Sequence, residues 1–325
     1  MKAWLCRSLD GIDAMRLEEV APPDLRPGTV RIRLRAAALN FPDLLMPAGR
    51  YQVRPDLPFV PGLEGMGEVA EVAPDVDPFT VGQRVMSYAG QGCFAEEAVV
   101  PAGLVHPVPD GMSDAAAAGF VLAYGTAWHA LVDRGRLRDG ECVLVLGAAG
   151  GVGLPALEIA AARGCTVIAA AGSEEKRQAC LAHGASHVLD SRGDLRAQLR
   201  EGGFDGRIDI VYDPVGGAAT EPALRSLDRY GRLLVVGFAA GDIPALRANL
   251  LLLKQADAVG VSFRQFAQDL PAQASKAVSA LAALFGAGRL APRIARELPL
   301  ADLPAAAALL QDRAVVGKVV LRIAD

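Results

Sequence analysis

The chain has 325 residues, enough for two domains of ordinary size. Its composition, 52% apolar and 22% charged, is that of a soluble globular enzyme. A formal net charge of −4 without long like-charged runs excludes the clustered Lys and Arg that non-specific nucleic-acid binding requires.

The five cysteines (Cys6, Cys93, Cys142, Cys165, Cys180) form no CxxC pair, so neither a disulfide framework nor a zinc knuckle is expected. A reducing cytoplasm fits that usage, and the opening MKAWLCRSLDGIDAM lacks the apolar core of a signal peptide. Next along the chain, VRIRLRAAAL (30–39) alternates charged and apolar side chains, the period of a half-buried strand. MGEVAEVAP (66–74), GQRVMSY (82–88) and CFAEEAVVP (93–101) read as further short strands. Turn-rich segments such as PDLRPG (23–28) and PDVDPF (74–79) separate them. This spacing predicts a small, curled β-domain.

Ser113 is placed to cap a helix ahead of AAAAGFVLAYGTAWHALV (115–132). That run is long enough to span a membrane, but it is mostly Ala and Gly and holds Thr126 and His129. A helix buried in protein is expected instead. From Glu141 onward strands and helices alternate: CVLVLG (142–147), VGLPALEIAAARG (152–164), CTVIAAAG (165–172), SEEKRQACLAHG (173–184) and SHVLD (186–190). IDIVYDPVG (208–216) and GRLLVVGF (231–238) continue the pattern, which predicts a parallel sheet with right-handed crossovers. The last stretch reads as strand, helix, strand over 293–300, 301–313 and 317–325, and is expected to return to the N-terminal domain.

GAAGGVG (147–153) lies between a buried strand and an amphipathic helix. Gly147 permits the tight turn, while Gly150 and Gly151 let the backbone approach a pyrophosphate. Gly153 allows close helix packing, so that the N–H groups around Val152 face the phosphate. In this context the glycines predict a dinucleotide site. The following strand ends in Ala170, Ala171, Gly172 and Ser173, with Lys176 and Arg177 close behind. No carboxylate stands where a ribose 2′-hydroxyl would need one. A hydroxyl and two cations suit a 2′-phosphate, so NADPH is the expected cofactor.

GAAGGVG, GSEEK, the YGTA run (124–127) and NFPDLL (40–45) together resemble the zinc-independent quinone oxidoreductases of the medium-chain dehydrogenase/reductase superfamily. The resemblance extends to the terminal GKVVL. It implies an α/β fold: a Rossmann doubly wound parallel sheet (122–264) and a GroES-like β-barrel catalytic domain (1–121 and 265–325), with the active site between them. It further implies that Asn40 and Thr126 lie near the nicotinamide end of the cofactor. Gly150, Gly151, Val152 and Gly153 would hold the pyrophosphate, and Ser173, Lys176 and Arg177 the 2′-phosphate. Phe238 and the Val261, Ser262, Phe263 segment would flank the nicotinamide, with Gly317 and Lys318 closing over the site. Ser191 stands where the family often has a Tyr beside the adenine.

The same resemblance bears on PGLEGMG (61–67). Zinc-dependent relatives carry Cys where this chain has Asn40 and His where it has Leu63; Leu offers zinc no donor. The expectation is no metal, with the glycines serving sterics and Glu64 supporting the cleft wall or a nearby Arg. Cys180, His183 and His187 have ligand chemistry, but Gly184 interrupts their helix, so they are not expected to form a zinc site.

By resemblance the reaction is hydride transfer from NADPH to a quinone or other α,β-unsaturated carbonyl, then protonation. Asn40, Asp43 and Tyr51 are the candidates for hydrogen bonding or acid–base work, with water an adequate proton source. Reduction of an enoyl thioester is a second reading, with Arg50, Arg54 and Arg264 facing the CoA phosphates. A third is an NADPH-binding sensor or structural protein with little turnover. The strand near ADAVGVSF (256–263) is expected at an exposed sheet edge that pairs two copies in a homodimer.

Overall fold

The computed structural model describes residues 1–77 and 79–324. Pro78, inside the turn expected over 74–79, and Asp325, the end of the expected final strand, lie outside them. The N-terminal stretch supplies β1 (Lys2–Leu5), β2 (Arg16–Glu19), β3 (Thr29–Ala38), α1 (Phe41–Leu45), β4 (Glu64–Val72), β5 (Arg84–Tyr88), β6 (Glu97–Pro101), β7 (Val105–Pro107) and α2 (Asp114–Ala118). After α3 (Phe120–Trp128) come β8 (Cys142–Val145), α4 (Gly153–Ala162), β9 (Thr166–Ala171), α5 (Glu174–Ala182), β10 (His187–Asp190) and α6 (Leu195–Glu201). The pattern continues through β11 (Ile208–Asp213), α7 (Thr220–Ser226), β12 (Leu227–Val235), α8 (Ala248–Lys254), β13 (Asp257–Gly260), α9 (Phe263–Asp269) and α10 (Pro271–Gly286). The chain ends with β14 (Ile294–Pro299), α11 (Leu303–Gln311) and β15 (Lys318–Arg322).

Two compact units result: 1–122 with 267–286 and 292–325, and 123–266 with 287–291. The first holds a seven-stranded sheet in the order β14-β15-β3-β4-β5-β7, with β6 added on β3. Its pairs are antiparallel except β14 with β15, which α11 connects as a crossover. The C-terminal strand thus enters the N-terminal sheet, Leu321 lying opposite Ala37 of β3. β3 alternates as its sequence demands: Val30, Ile32 and Leu34 are fully buried, while Arg31 and Arg35 on its other face pair with acids on β4 and β6. At Gly67 a Cβ would stand 2.0 Å from the carbonyl oxygen of Arg33, so strand-on-strand contact admits only glycine there.

The Ala-rich run after Ser113 is not one helix. Ser113 caps α2 by accepting the N–H of Ala116, and the helix breaks at Gly119. A Cβ on Gly119 would lie 2.9 Å from Cε of Lys318, so the absence of a side chain there leaves room for the lysine. Beyond α3 the helix loosens into a π-helical turn over His129–Arg134. Among the described residues no helix is long and apolar enough to cross a membrane.

The second unit is a six-stranded parallel sheet in the order β10-β9-β8-β11-β12-β13. The order reverses between β8 and β11, the topological switch point where such sheets bind ligands at their strand carboxyl ends. Leu144, Ile168, Val211, Leu224, Leu227 and Leu233 belong to the apolar cluster that fixes the sheet under its helices. Burying side chains of this size contributes about 1.5–3 kcal/mol each.

Candidate functional site

The switch point of the second unit is built around GAAGGVG. β8 delivers the chain to Gly147, which turns with φ +57°. Gly150 N donates back to the Gly147 carbonyl, and the N–H groups of Gly153 and Leu154 both reach the Gly150 carbonyl. A Cβ on Gly153 would sit 2.5 Å from the carbonyl oxygens of both Gly147 and Ala148, so α4 packs this closely only with glycine. Between these bonded groups, the N–H donors of Gly151 and Val152 have no acceptor among the described residues. Two unmet donors at the head of a ten-residue helix are the arrangement that suits an anion.

At the end of β9, Ser173 caps α5 by accepting the N–H of Lys176 at 3.3 Å. Lys176 follows on the first turn. Arg177 is tied down: it pairs with Glu174 at 2.9 Å and Asp190 at 3.3 Å and reaches the Ala171 carbonyl. A further cation, missed in the sequence, stands at the same corner. Arg192 follows β10 and is bidentate on Asp190, whose carboxyl it holds well below the usual range. A Cβ on Gly172 would lie 3.5 Å from Oγ of Ser191 and 3.9 Å from Arg192, so both residues border the strand end where a ribose would lie. Their position one and two residues past a parallel strand was the available signal.

Three other strand ends complete this edge. Asp213 closes β11, accepting from the N–H groups of Val215 and Gly216 and from Oγ1 of Thr220 at 2.6 Å. Gly216 brings Phe238, which follows β12, against the turn: a Cβ there would lie 2.9 Å from its ring. After β13, Val261 N donates to the Val235 carbonyl and Ser262 caps α9 through the N–H of Gln265. The ring of Phe263 lies over Gly125, where a Cβ would be 2.5 Å from it, beside the buried Thr126. Phe266 stacks on His129 with ring centroids 4.0 Å apart, and His129 meets Asp133 at 3.0 Å.

In the first unit the catalytic candidates are part of a polar core. The ammonium of Lys318 donates to the Leu39 carbonyl (3.1 Å), Oδ1 of Asn40 (2.6 Å) and Oε1 of Glu64 (3.0 Å). The charge of Lys318 thus turns into the first unit. Glu64 is fully buried, and its partner is this lysine rather than an arginine. Its second oxygen accepts from Leu122 N. The Asn40 amide nitrogen donates to the Ala38 carbonyl and to Glu64, so its two hydrogens are engaged and it is no spare donor for a substrate. Asp43 caps α1, accepting from the N–H groups of Asn40 and Leu63. Burial pushes its carboxyl up to about 7, against the pull of the Asn40 N–H and Lys318, with nearby Glu64 adding to the rise. The neighbouring Cys93 thiol is raised as well, chiefly by burial. Tyr51 is half-buried in the loop after α1, and Gly317 leads into β15 with φ +93°.

Among the described residues no group of three or more His, Cys, Asp or Glu side chains is disposed to hold a metal ion. The Leu63 backbone is engaged at both groups, its N–H by Asp43 and its carbonyl by the Gly90 N–H. Of the Cys180, His183, His187 constellation, His183 binds Glu158 at 2.5 Å, and Glu158 also accepts from Tyr124. The His187 ring lies against Phe204, and burial pushes the Cys180 thiol up to about 11.

Family models place this architecture. Residues 26–110 match the alcohol dehydrogenase GroES-like domain and 151–282 the zinc-binding dehydrogenase domain. Quinone oxidoreductase-like protein 2 of Bos taurus is 36% identical, over 98% of this chain and 96% of its own length. Among solved structures, the Thermus thermophilus quinone oxidoreductase, determined alone and with NADPH, is 33% identical (TM-score 0.86; 99% of this chain, 100% of that one). The Escherichia coli quinone oxidoreductase complexed with NADPH is 26% identical (TM-score 0.92; 99% and 100%). The chain belongs to the zinc-independent quinone oxidoreductase family of the medium-chain dehydrogenase/reductase superfamily.

Proposed function

We propose that the protein is an NADPH-dependent oxidoreductase that reduces a quinone or another α,β-unsaturated carbonyl, the bound cofactor supplying the hydride. The observation that supports this most is the pair of unmet N–H donors at Gly151 and Val152, beside a glycine whose missing Cβ lets α4 close on β8. Gly150 and Gly151 give the pyrophosphate backbone access, and Gly153 keeps the helix head in reach. Ser173, Lys176 and Arg192 surround the 2′-phosphate, with Arg177 fixing the corner through Glu174 and Asp190. Thr126, Phe238 and the Val261, Ser262, Phe263 segment line the nicotinamide end and exclude water there.

Asn40, Asp43 and Lys318 stiffen the first unit rather than donate protons, and the proton for the reduced acceptor comes from water, as a delocalised anion allows. The protein works in the cytoplasm as a homodimer. β13 is the edge of the parallel sheet, and Leu252, Leu253 and Ile243 are more than 70% exposed in the same unit. Apolar side chains exposed in a unit whose sheet ends in an open edge are best covered by a second copy of the chain.

The test is anaerobic NADPH consumption with an ortho-quinone, a simple enone and crotonyl-CoA in parallel, with a chelator throughout. Chelator-resistant turnover of the quinone or enone is expected. Tight NADPH binding without reduction of any acceptor would overturn the enzymatic reading in favour of a sensor, and chelator-sensitive turnover would overturn the metal-free one.

A further inference from the structure

Three arginines carry a buried guanidinium nitrogen with no hydrogen-bond partner: Arg35, Arg232 and Arg264. The first two are matched in charge, Arg35 by Glu68 at 2.9 Å and Asp114 at 3.0 Å, Arg232 by Glu141 at 2.7 Å. Arg264 differs. Among the described residues it makes no ion pair and no side-chain hydrogen bond, yet its Nη1 is shut off from solvent. Arg264 as a whole is half-buried, so the cost falls on this one nitrogen: a buried N–H donor without an acceptor is destabilising unless a ligand completes it.

The backbone that carries Arg264 is held on both sides. Ser262 caps α9, Phe263 seats on Gly125, and Phe266 stacks on His129, whose own partner is Asp133. Asp133 is therefore engaged by His129. Arg264 lies four residues beyond the end of β13, on the ligand-binding edge of the sheet and next to the segment assigned to the nicotinamide. A planar fork in that position matches an oxyanion, two N–H groups to two oxygens.

We propose that Arg264 recognises an oxyanion carried by the acceptor, so that the protein prefers quinones or enones bearing a carboxylate, sulfonate or phosphate over neutral ones. This rests on the oxidoreductase reading above and names its substrate class. The acceptor must approach the nicotinamide to receive hydride, and an arginine side chain adjoining that position reaches groups on the acceptor's flank. The oxyanion belongs either to a small charged acceptor or to the phosphates of a CoA thioester.

The experiment compares wild type, Arg264→Gln and Arg264→Lys on matched acceptors: 1,2-naphthoquinone with its 4-sulfonate, and a simple enone with crotonyl-CoA. For Arg264→Gln the kcat/KM of the anionic member is expected to fall at least about tenfold further than that of its neutral partner, the worth of one charge-assisted hydrogen bond. Arg264→Lys should recover part of the difference. Loss confined to the sulfonate pair identifies a small charged acceptor, and loss confined to crotonyl-CoA a thioester. Equal changes for charged and neutral acceptors overturn the proposal. So does a tenfold rise in KM for NADPH with every acceptor, which would assign the guanidinium to the cofactor. Titration of naphthalene-1-sulfonate and naphthalene into the NADPH-loaded protein by calorimetry is independent of turnover. If no acceptor is reduced but sulfonate binding still needs Arg264, the oxidoreductase reading falls and the anion site stands. If sulfonate binding ignores Arg264 as well, the anion site falls.

Discussion

Replacing Lys318 with Met tests whether its charge belongs to the interior of the β-domain or to the cofactor. The ammonium makes three bonds of 3.1 Å or less, and Glu64, its ionic partner, has no exposed surface. Met keeps most of the stem but leaves the Glu64 carboxylate with two N–H donors and no counter-charge. Removing one member of such a buried pair costs about 3–5 kcal/mol. For a unit of this size that lowers the melting temperature by roughly 6–20 °C. The double variant Lys318→Met/Glu64→Gln removes the stranded charge and should recover a large part of the loss, a coupling of about 2 kcal/mol between the two sites. The assays are thermal unfolding by circular dichroism and NADPH titration by calorimetry. If Lys318→Met melts within about 2 °C of wild type while NADPH affinity falls tenfold, the lysine serves the cofactor and the argument for an internal cation is refuted.

Gly153→Ala places a Cβ against two carbonyl oxygens at 2.5 Å, which cannot be met without moving α4. A loss of about 1–3 kcal/mol in stability and at least a tenfold weaker NADPH complex are expected; unchanged affinity by calorimetry would remove the helix head from the cofactor site. Ser173→Asp keeps an N-cap but adds a carboxylate at the corner of Lys176 and Arg192, so the ratio of kcat/KM for NADPH over NADH should drop by about 100-fold. An unchanged ratio would place the 2′-phosphate elsewhere. Asp43, pushed up to about 7 chiefly by burial, makes the folded state bind its proton more tightly than the unfolded state. Its contribution is therefore fully present below the ordinary carboxylate pKa of about 3.9 and is lost as pH rises through about 7. Asp43→Asn should lower stability overall but flatten the fall between pH 5 and 8 in urea titrations, and an unaltered slope would show that another group titrates there.

The dinucleotide half of the molecule was legible because its signals are contiguous. GAAGGVG needs only its own strand and helix to be interpreted, and the parallel sheet follows from the alternation after Glu141, whereas the strand order with its switch point is seen only in the fold. The corner near Ser173 was half legible. Missing acid and arriving cations were visible in one stretch, but the capture of Arg177 by Asp190 and the arrival of Arg192 depend on β10 lying beside β9. Likewise Gly119 in the Ala-rich run marks a helix end by residue type, but the reason no larger residue fits there, the side chain of a lysine about 200 residues further on, is visible only in the fold.

The polar core of the first unit shows why residue type at a motif position does not fix a role. Asn40 and Asp43 lie three apart and read as a donor and an acid, yet an amide and a carboxylate inside a β-domain must first satisfy what surrounds them. Here the backbone of α1 and the N–H of Leu63 engage Asp43. Lys318 engages Oδ1 of Asn40 from the opposite end of the chain. Three oxygens converge on that ammonium from Leu39, Asn40 and Glu64, so one internal cation anchors β15, the start of β4 and the entry to α1 together. Such a knot costs much to break and leaves its members no free proton. Contacts to cofactor or acceptor are therefore expected from donors outside the knot: among the described residues Gly151, Val152 and Arg264 keep such donors, whereas the unmet nitrogens of Arg35 and Arg232 belong to ion-paired guanidinium groups and the Tyr212 hydroxyl is fully buried.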